Sequence, residues 1–470
     1  MKTMKYLTHL MAITLFIFLW AGCDDTMLDY NTDPNNPTEA PNTTLLPTAM
    51  MHTIVNLSGT DPSWISSVWV QHTAGVHAQL RDYDRLAGLD ATLVNNNWNN
   101  LYPTIFHNLD IIIEQGREEG NNNFVGIAKI LKAYAATYAT DMWGEIPFSE
   151  SNQGIDNLTP AYDSQEDVYT QVLQYLENGR QALRDETVGT AGSSDLIFGG
   201  DAEAWLRVSY SIEAKVHNRW SNHDPQGSAQ RVIDAAQNGF QSPADDLTFD
   251  NFGTGSTEQH PWYQESLDRG HHAFSQSMYD AMAPVNDPRL EVFAQPREDG
   301  SIVPAPNGDA EADQFAATIY SGLSSNIVNA TAPMQLMTYG ELLFTKAEAY
   351  LRLDQNNDAL NAYENALRVS LAYHGIEGDE AEAFLAQEEV LPSSPAGLEM
   401  EHVMTQKWIS LFPFQAQEAH TDFRRTGYPE LTNPRGEIPN RYPYPQVEID
   451  NNRDNIPDVN INTPVWFQGQ

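Results

Sequence analysis

The sequence predicts an all-α protein, a tetratricopeptide-like scaffold of helix hairpins carrying long irregular loop insertions. Three observations lead there. Between Pro333 and Gly375, Tyr339, Leu343, Ala347 and Tyr350 recur at helical spacing, and Leu360, Tyr363, Leu367 and Leu371 form a second apolar stripe; each marks one buried helix face. The runs Ala347-Glu-Ala-Tyr-Leu-Arg-Leu353 and Ala362-Tyr-Glu-Asn-Ala-Leu367 alternate small and aromatic residues as a tetratricopeptide repeat does. One such hairpin cannot bury its stripe alone, and helical pairs recur near 125–183, 202–238 and from 401.

The chain begins with Lys2 and Lys5, then an apolar run from Leu10 to Trp20 that is too short to span a bilayer. Ala21-Gly22-Cys23 follows, and Cys23 is the only cysteine, so no internal disulfide can form. Its place after two small residues is that of a bacterial lipobox, although Trp20 stands where Leu is usual and Leu19 lies one place early. The expected organisation is a lipoprotein signal peptide over 1–22, a lipidated tether over 23–42 rich in Pro and Asn, and one helical-repeat domain over 43–470. Loop subregions are expected near 239–332 and 413–470.

Within the domain, Leu46, Met50, Ile54 and Leu57 line a first helix. Gly59 to Trp69 reads as a turn and an aromatic run with Trp64 and Trp69, and Gly75 to Val94 as a loop holding Arg81, Tyr83 and Arg85. Trp98, Leu101, Ile105, Leu109 and Ile112 return to helical spacing, which makes Trp98 a core residue. Ile127, Leu131, Tyr134 and Tyr138 line the next helix, which Gly144 and Pro147 end. Asp163 or Ser164 caps the helix that follows, with Glu166 or Asp167 completing a box. A third pair starts at Asp201 and closes around Val232 to Ala236. Gln355 to Asp358 supplies the turn in the Pro333–Gly375 hairpin, Gly375 stops it, and Met404 to Phe412 is a further helix.

Composition narrows the function. A net charge of −39 repels nucleic acid and anionic lipid surfaces unless a local basic patch reverses it, and no run of Lys/Arg is present. No phosphate loop, Gly-x-Ser-x-Gly, His-Glu-x-x-His or Cys/His cluster occurs. His72 and His77 are badly spaced as ligands, and His271 and His272, being adjacent, point apart in a strand or helix. Asp450, Asn452, Asp454 and Asp458 alternate as calcium ligands do but lack the glycine and terminal Glu of a calcium loop. With 64 acidic residues, a glycosidase-type carboxylate pair is not recognisable by position.

A series of short motifs gives the chain a family resemblance. Leu28-Asp-Tyr-Asn-Thr-Asp-Pro-Asn-Asn-Pro-Thr38, Asp141-Met-Trp-Gly-Glu-Ile-Pro-Phe148, Pro160-Ala-Tyr-Asp-Ser-Gln-Glu166, Asp195-Leu-Ile-Phe-Gly-Gly-Asp201, Asn286-Asp-Pro-Arg-Leu290, Tyr339 to Ala349, Gln406-Lys-Trp408, Arg424 to Pro429 and Pro439 to Pro445 occur in order behind Cys23. Together they resemble the SusD/RagB nutrient-binding outer-membrane lipoproteins of Bacteroidetes. The resemblance implies a non-catalytic protein, lipid-anchored at Cys23 on the outer membrane and facing the cell exterior. It would capture an oligomeric nutrient and deliver it to a SusC-like TonB-dependent transporter. Trp143, Trp408, Arg424 and Arg425 lie in these motifs and read as structural.

Sugar capture needs flat aromatic faces with amides, carboxylates and guanidinium groups around them. The candidate ligand residues are Trp64, Arg81, Tyr83, Asn97, Trp262, Tyr263 and Arg269. The expected ligand is a neutral oligo- or polysaccharide, the acidity weighing against a polyanion such as a uronate polymer; a peptide ligand, a glycan hydrolase and a protein-only adaptor are the alternatives. No cofactor is expected apart from calcium at the acidic turn.

Overall fold

The computed structural model describes residues 40–311 and 319–469. The signal peptide, Cys23 and most of the tether lie outside the described residues.

The chain first folds α1 (Asn42–Ser58), α2 (Asp61–Trp69), the short strand β1 (Thr73–Gly75) and α3 (Ala78–Asp84). Next come α4 (Asn95–Asn100), a π-helical turn over Leu101–Phe106, and α5 (His107–Glu118). Pro103 lies in the π turn and brings no N–H to the ladder there. Trp98, Leu101, Ile105, Leu109 and Ile112 are all buried along this composite rod, as their spacing predicts.

The hairpins follow: α6 (Asn122–Trp143) with α7 (Gln165–Arg184), and α8 (Ala202–Asn218) with α9 (Pro225–Ala236). The α6–α7 approach is close because Gly126 and Gly179 face the opposite helix, and a Cβ on Gly126 would stand 3.0 Å from the Gly179 carbonyl oxygen. Ser164 caps α7 by accepting from the Asp167 N–H at 3.1 Å, so the second of the two overlapping boxes is used. After α9 come β2 (Leu247–Phe249), α10 (Pro261–Asp268), β3 (His272–Phe274), α11 (Gln276–Met282), α12 (Arg289–Phe293) and β4 (Met334–Met337).

The hairpin of α13 (Tyr339–Arg352) and α14 (Asn356–Ala372) packs back onto α9, so the repeat array is continuous and the segment between bulges from it. Tyr363, Leu367 and Leu371 join Leu343, Phe344 and Ala347 in a second core beside the main one. Then come α15 (Gly378–Leu385), α16 (Met400–Ser410), α17 (Ala416–Thr426) and α18 (Gln446–Asn451).

Several local expectations need correction. The stretch read as loop from Gly75 to Val94 contains α3. The 239–332 subregion holds two short strands, three short α-helices and two 3₁₀ turns among its described residues. The α13–α14 turn is Leu353–Gln355, with Asp354 at φ 56°, and Asn356 already belongs to α14. Residues 413–470 include the buried helix α17. Its inward face is polar and charged (Gln417, Glu418, His420, Thr421, Asp422, Arg424, Arg425), so no apolar stripe announces it.

That face is matched by charge from the repeat helices. Arg219, fully buried, donates to Asp141 Oδ2 at 2.8 Å and to Glu418 Oε2 at 2.6 Å. Lys215 pairs with Glu341 at 2.7 Å, Lys407 with Asp422 at 2.7 Å, and Arg425 with Asp422 at 2.7 Å and Glu348 at 2.8 Å. The network fastens α6, α8, α13 and α16 to α17 with bidentate, charge-assisted bonds. Trp143 and Trp408 are buried and bond to backbone, at Pro443 O and Val70 O, so their structural role is as read.

Candidate ligand-binding site

At the edge of the array, α2, α3, α10 and the two-stranded sheet of β1 and β3 form one corner. The strands pair antiparallel with Gly75 opposite His272. Ser67 Oγ meets Thr73 Oγ1 at 2.8 Å, and Thr73 Oγ1 meets His272 Nδ1 at 3.0 Å, so α2 is fastened to β3 through β1. Gly59 leaves room for α10, since a Cβ there would lie 2.8 Å from Pro261 Cγ.

On this frame Asp61 and Trp64 stand one turn apart on α2. Trp64 is half-buried, its ring edge-on to His272 at 6.4 Å between centroids, and its buried Nε1 has no protein partner. Burial raises the Asp61 carboxyl above its ordinary range, and Arg269 at the end of α10 partly opposes this. Tyr83 on α3 is half-buried; its hydroxyl is raised by burial and by the charges of Asp61, Asp90 and Asp82. Trp64 thus lies one turn from Asp61, whose charge also acts on Tyr83 and is acted on by Arg269; sequence reasoning missed Asp61 because α2 was read as a turn and a run rather than a helix. Arg81 lies on α3 as well but two residues from Tyr83, so it serves a different side of the helix.

Three candidates fall elsewhere. Trp262 is fully buried: its Nε1 donates to Ser58 O at 2.9 Å and its ring stacks on His272 at 5.0 Å. It is a core residue and cannot serve as a sugar platform. Asn97 is buried too, donating from Nδ2 to Asn56 Oδ1 at 2.9 Å and to Thr60 Oγ1 at 3.1 Å, so it joins α4 to α1. Tyr263 packs half-buried against the main core.

Beneath the corner, Glu265 accepts from the His271 N–H at 3.1 Å, and burial pushes its carboxyl up to about 7. His271 Nδ1 lies 3.6 Å and His272 Nε2 3.9 Å from the two Glu265 oxygens, so the adjacent histidines converge on one carboxylate instead of pointing apart. Burial lowers both, His271 to about 4 and His272 to about 3, which keeps them neutral above those values.

The acidic turn is organised by protein groups. Asn452 Nδ2 donates to Pro160 O at 2.9 Å, its Oδ1 accepts from Asn455, and Asp450 accepts from Gln446. Among the described residues no group of three or more His, Cys, Asp or Glu side chains is arranged to hold a metal ion.

A family model described as "Starch-binding associating with outer membrane" (SusD-like) matches residues 34–445. The chain belongs to the SusD-like family. Solved relatives have the same fold. A SusD/RagB family protein from Bacteroides thetaiotaomicron superposes with a TM-score of 0.79 at 26% identity, over 92% of this chain and 99% of that one. A chitin-binding SusD homolog from Flavobacterium johnsoniae gives 0.75 at 22% identity, over 90% and 98%. A SusD homolog from Bacteroides uniformis gives 0.72 at 21%, over 90% and 99%. A search of curated proteins finds no sequence match. No described helix of this SusD-like chain is long and apolar enough to cross a membrane.

Proposed function

We propose that this SusD-like protein captures an oligosaccharide at the Trp64–Tyr83–Asp61–Arg269 corner and hands it on without cutting it. The observation that supports the reading is a pair of half-exposed aromatic rings, Trp64 and Tyr83, within electrostatic reach of the Asp61 carboxylate that Arg269 also reaches, in a chain whose family is described as starch-binding. Sugar rings present an apolar face that stacks on an indole or phenol, while hydroxyls at the rim meet charged acceptors and donors. Cys23 supplies the lipid anchor on the outer face of the outer membrane, and a SusC-like TonB-dependent transporter receives the ligand. The test is affinity electrophoresis of the mature protein through gels containing starch, chitin oligomers or other glycans. Trp64→Ala is expected to abolish retardation while leaving the far-UV circular dichroism unchanged; a variant retarded like the wild type would move the site elsewhere. Product formation by the pure wild type would turn the reading toward hydrolysis.

A further inference from the structure

A cleft of 660 Å³ separates α11 and α12 from α15, and none of the corner residues lines it. The size suits a ligand of a few rings, since binding clefts run to about 300–1,000 Å³. One wall is built from Tyr279 and Ala283, one helical turn apart, and from the turn that leads through Asn286 into α12. The facing wall is one side of α15 and its extension, where Glu380, Ala383, Phe384 and Gln387 fall at i, i+3, i+4 and i+7. Gln387 Nε2 donates to Val285 O at 2.8 Å and so ties the two walls together. The floor is fixed as well. Buried Asp287 is held by Arg289 through Nε at 2.9 Å and Nη2 at 2.6 Å. Arg289 in turn reaches Ser370 on α14 at 2.8 Å and Gln406 on α16 at 2.5 Å, with its guanidinium 5.7 Å from the Phe384 ring.

The walls are accessible and carry one sign of charge. Tyr279 and Gln387 are half-buried, while Asn286, Glu291, Glu380 and Ala383 are exposed. No Lys, Arg or His side chain lines the cleft. Arg289 is spent on Asp287, and Glu291 and Glu380 form no ion pair with any described residue. Each of these two glutamates stands in the first turn of a helix, where a carboxylate is favoured in any case. Their place on the helix therefore signifies nothing; what sets them apart is that both open into one cleft from facing walls.

The cleft is a site by its shape, and its charge selects what enters. An anion is repelled. A metal ion is not provided for, since among the described residues no three His, Cys, Asp or Glu side chains are grouped to hold one. An extended peptide would find no strand edge to pair with, because helices and turns make up the lining. An amino sugar suits every part of it. Its ammonium group donates three hydrogen bonds to carboxylates, its hydroxyls can meet the Asn286 and Gln387 amides, and its ring face can meet the Tyr279 phenol.

We infer that the cleft between α12 and α15 takes an oligosaccharide bearing free amino groups, held through Glu291 and Glu380. This goes beyond the glycan capture proposed at Trp64 and does not depend on it.

The test is isothermal titration calorimetry of the mature protein with a β-1,4-linked glucosamine tetramer and its fully N-acetylated counterpart. The titrations run at about pH 5.5, above the ordinary carboxylate range, where sugar amines carry their proton. The amine form is expected to bind at least about fivefold more tightly in about 50 mM NaCl, an advantage that about 500 mM NaCl removes. Glu291→Gln/Glu380→Gln should bring the ratio of the two affinities within about twofold of unity, as should Ala383→Lys, which places a cation on the exposed wall. All these positions are exposed, so far-UV circular dichroism should stay as in the wild type. Two controls should keep the ratio: Trp64→Ala, and Glu166→Gln/Glu203→Gln, which removes the same charge from exposed first-turn positions of α7 and α8. Equal loss in the second control overturns the cleft, because overall acidity would then hold the amine. A wild type indifferent to acetylation overturns it too, as does a ratio unchanged in both cleft variants. Loss of the ratio in Trp64→Ala alone overturns it in favour of the corner. Tighter binding of tri-lysine than of the glucosamine tetramer overturns the sugar assignment.

Discussion

Trp262→Ala separates packing from binding most sharply. The side chain is wholly buried, stacked on His272 at 5.0 Å and edge-on to Phe414 at 6.0 Å. Truncating a buried Trp to Ala costs about 3–5 kcal/mol. The change also removes the donor to Ser58 O, a last-turn carbonyl of α1, and an orphaned helix-end acceptor adds about 1 kcal/mol. The total of about 4–6 kcal/mol compares with an overall stability of about 5–15 kcal/mol for folded domains. Trp262→Ala is therefore expected to unfold at a markedly lower urea concentration than wild type, or to fail to accumulate as folded protein. Trp262→Phe, which keeps the ring and loses the donor, should fall between the two. Tyr83→Ala, at a half-buried position, should keep the urea midpoint close to wild type while weakening retardation in glycan gels. Urea denaturation followed by tryptophan fluorescence and circular dichroism, run beside affinity electrophoresis, reads both effects. If Trp262→Ala kept its midpoint and lost only glycan retardation, the indole would be a ligand platform and the assignment to the core would be wrong.

Other substitutions probe the frame and the anchor. Burial raises the Glu265 carboxyl from 4.5 to about 7, so the folded chain holds that proton more tightly than the unfolded one. That stabilisation is complete below about pH 4.5 and is lost as the pH rises through about 7, so Glu265→Gln should match wild type near pH 4 and exceed it by about 3 kcal/mol at pH 8.5. Parallel urea curves for the two proteins across that range would contradict it. Arg219→Met removes the ion-pair partner of buried Asp141 and leaves Glu418 with only Lys215 and Lys407, at 3.4 and 3.7 Å, and should cost about 3–5 kcal/mol, read as loss of folded protein on gel filtration. Cys23→Ala should move the protein from the membrane pellet to the soluble fraction; retention in the pellet would point to another attachment.

The sequence made the repeat scaffold legible because each hairpin carries its own apolar period. Leu46, Met50, Ile54 and Leu57 on α1 and Tyr363, Leu367 and Leu371 on α14 are buried as their spacing requires, with Leu360 half-buried at the end of its stripe. Helix α17 was illegible for the opposite reason: its inward face is charged, and only the counter-charges on α6, α8, α13 and α16 make burying it favourable. The corner was half legible. Trp64, Tyr83 and Arg269 are surface-seeking side chains in aromatic or loop-like stretches, and Trp64 and Tyr83 are half-buried while Arg269 is exposed. Trp262 misled because a Trp beside a Pro in a polar segment reads as exposed, whereas α10 turns it inward onto α1. The meeting of His77 with His271 depends on strands of three residues each, too short to leave a period of their own.

The charged lattice around Arg219 also orders events during biosynthesis. Asp141, Lys215, Arg219, Glu341 and Glu348 leave the ribosome well before Glu418, Asp422 and Arg425, their partners across the lattice. Until the later segment arrives, Asp141 can already pair with Arg219 and Lys215 with Glu341, but the face that α17 covers stays polar and open to water. A prematurely terminated chain would therefore leave that polar face uncovered and within reach of proteases.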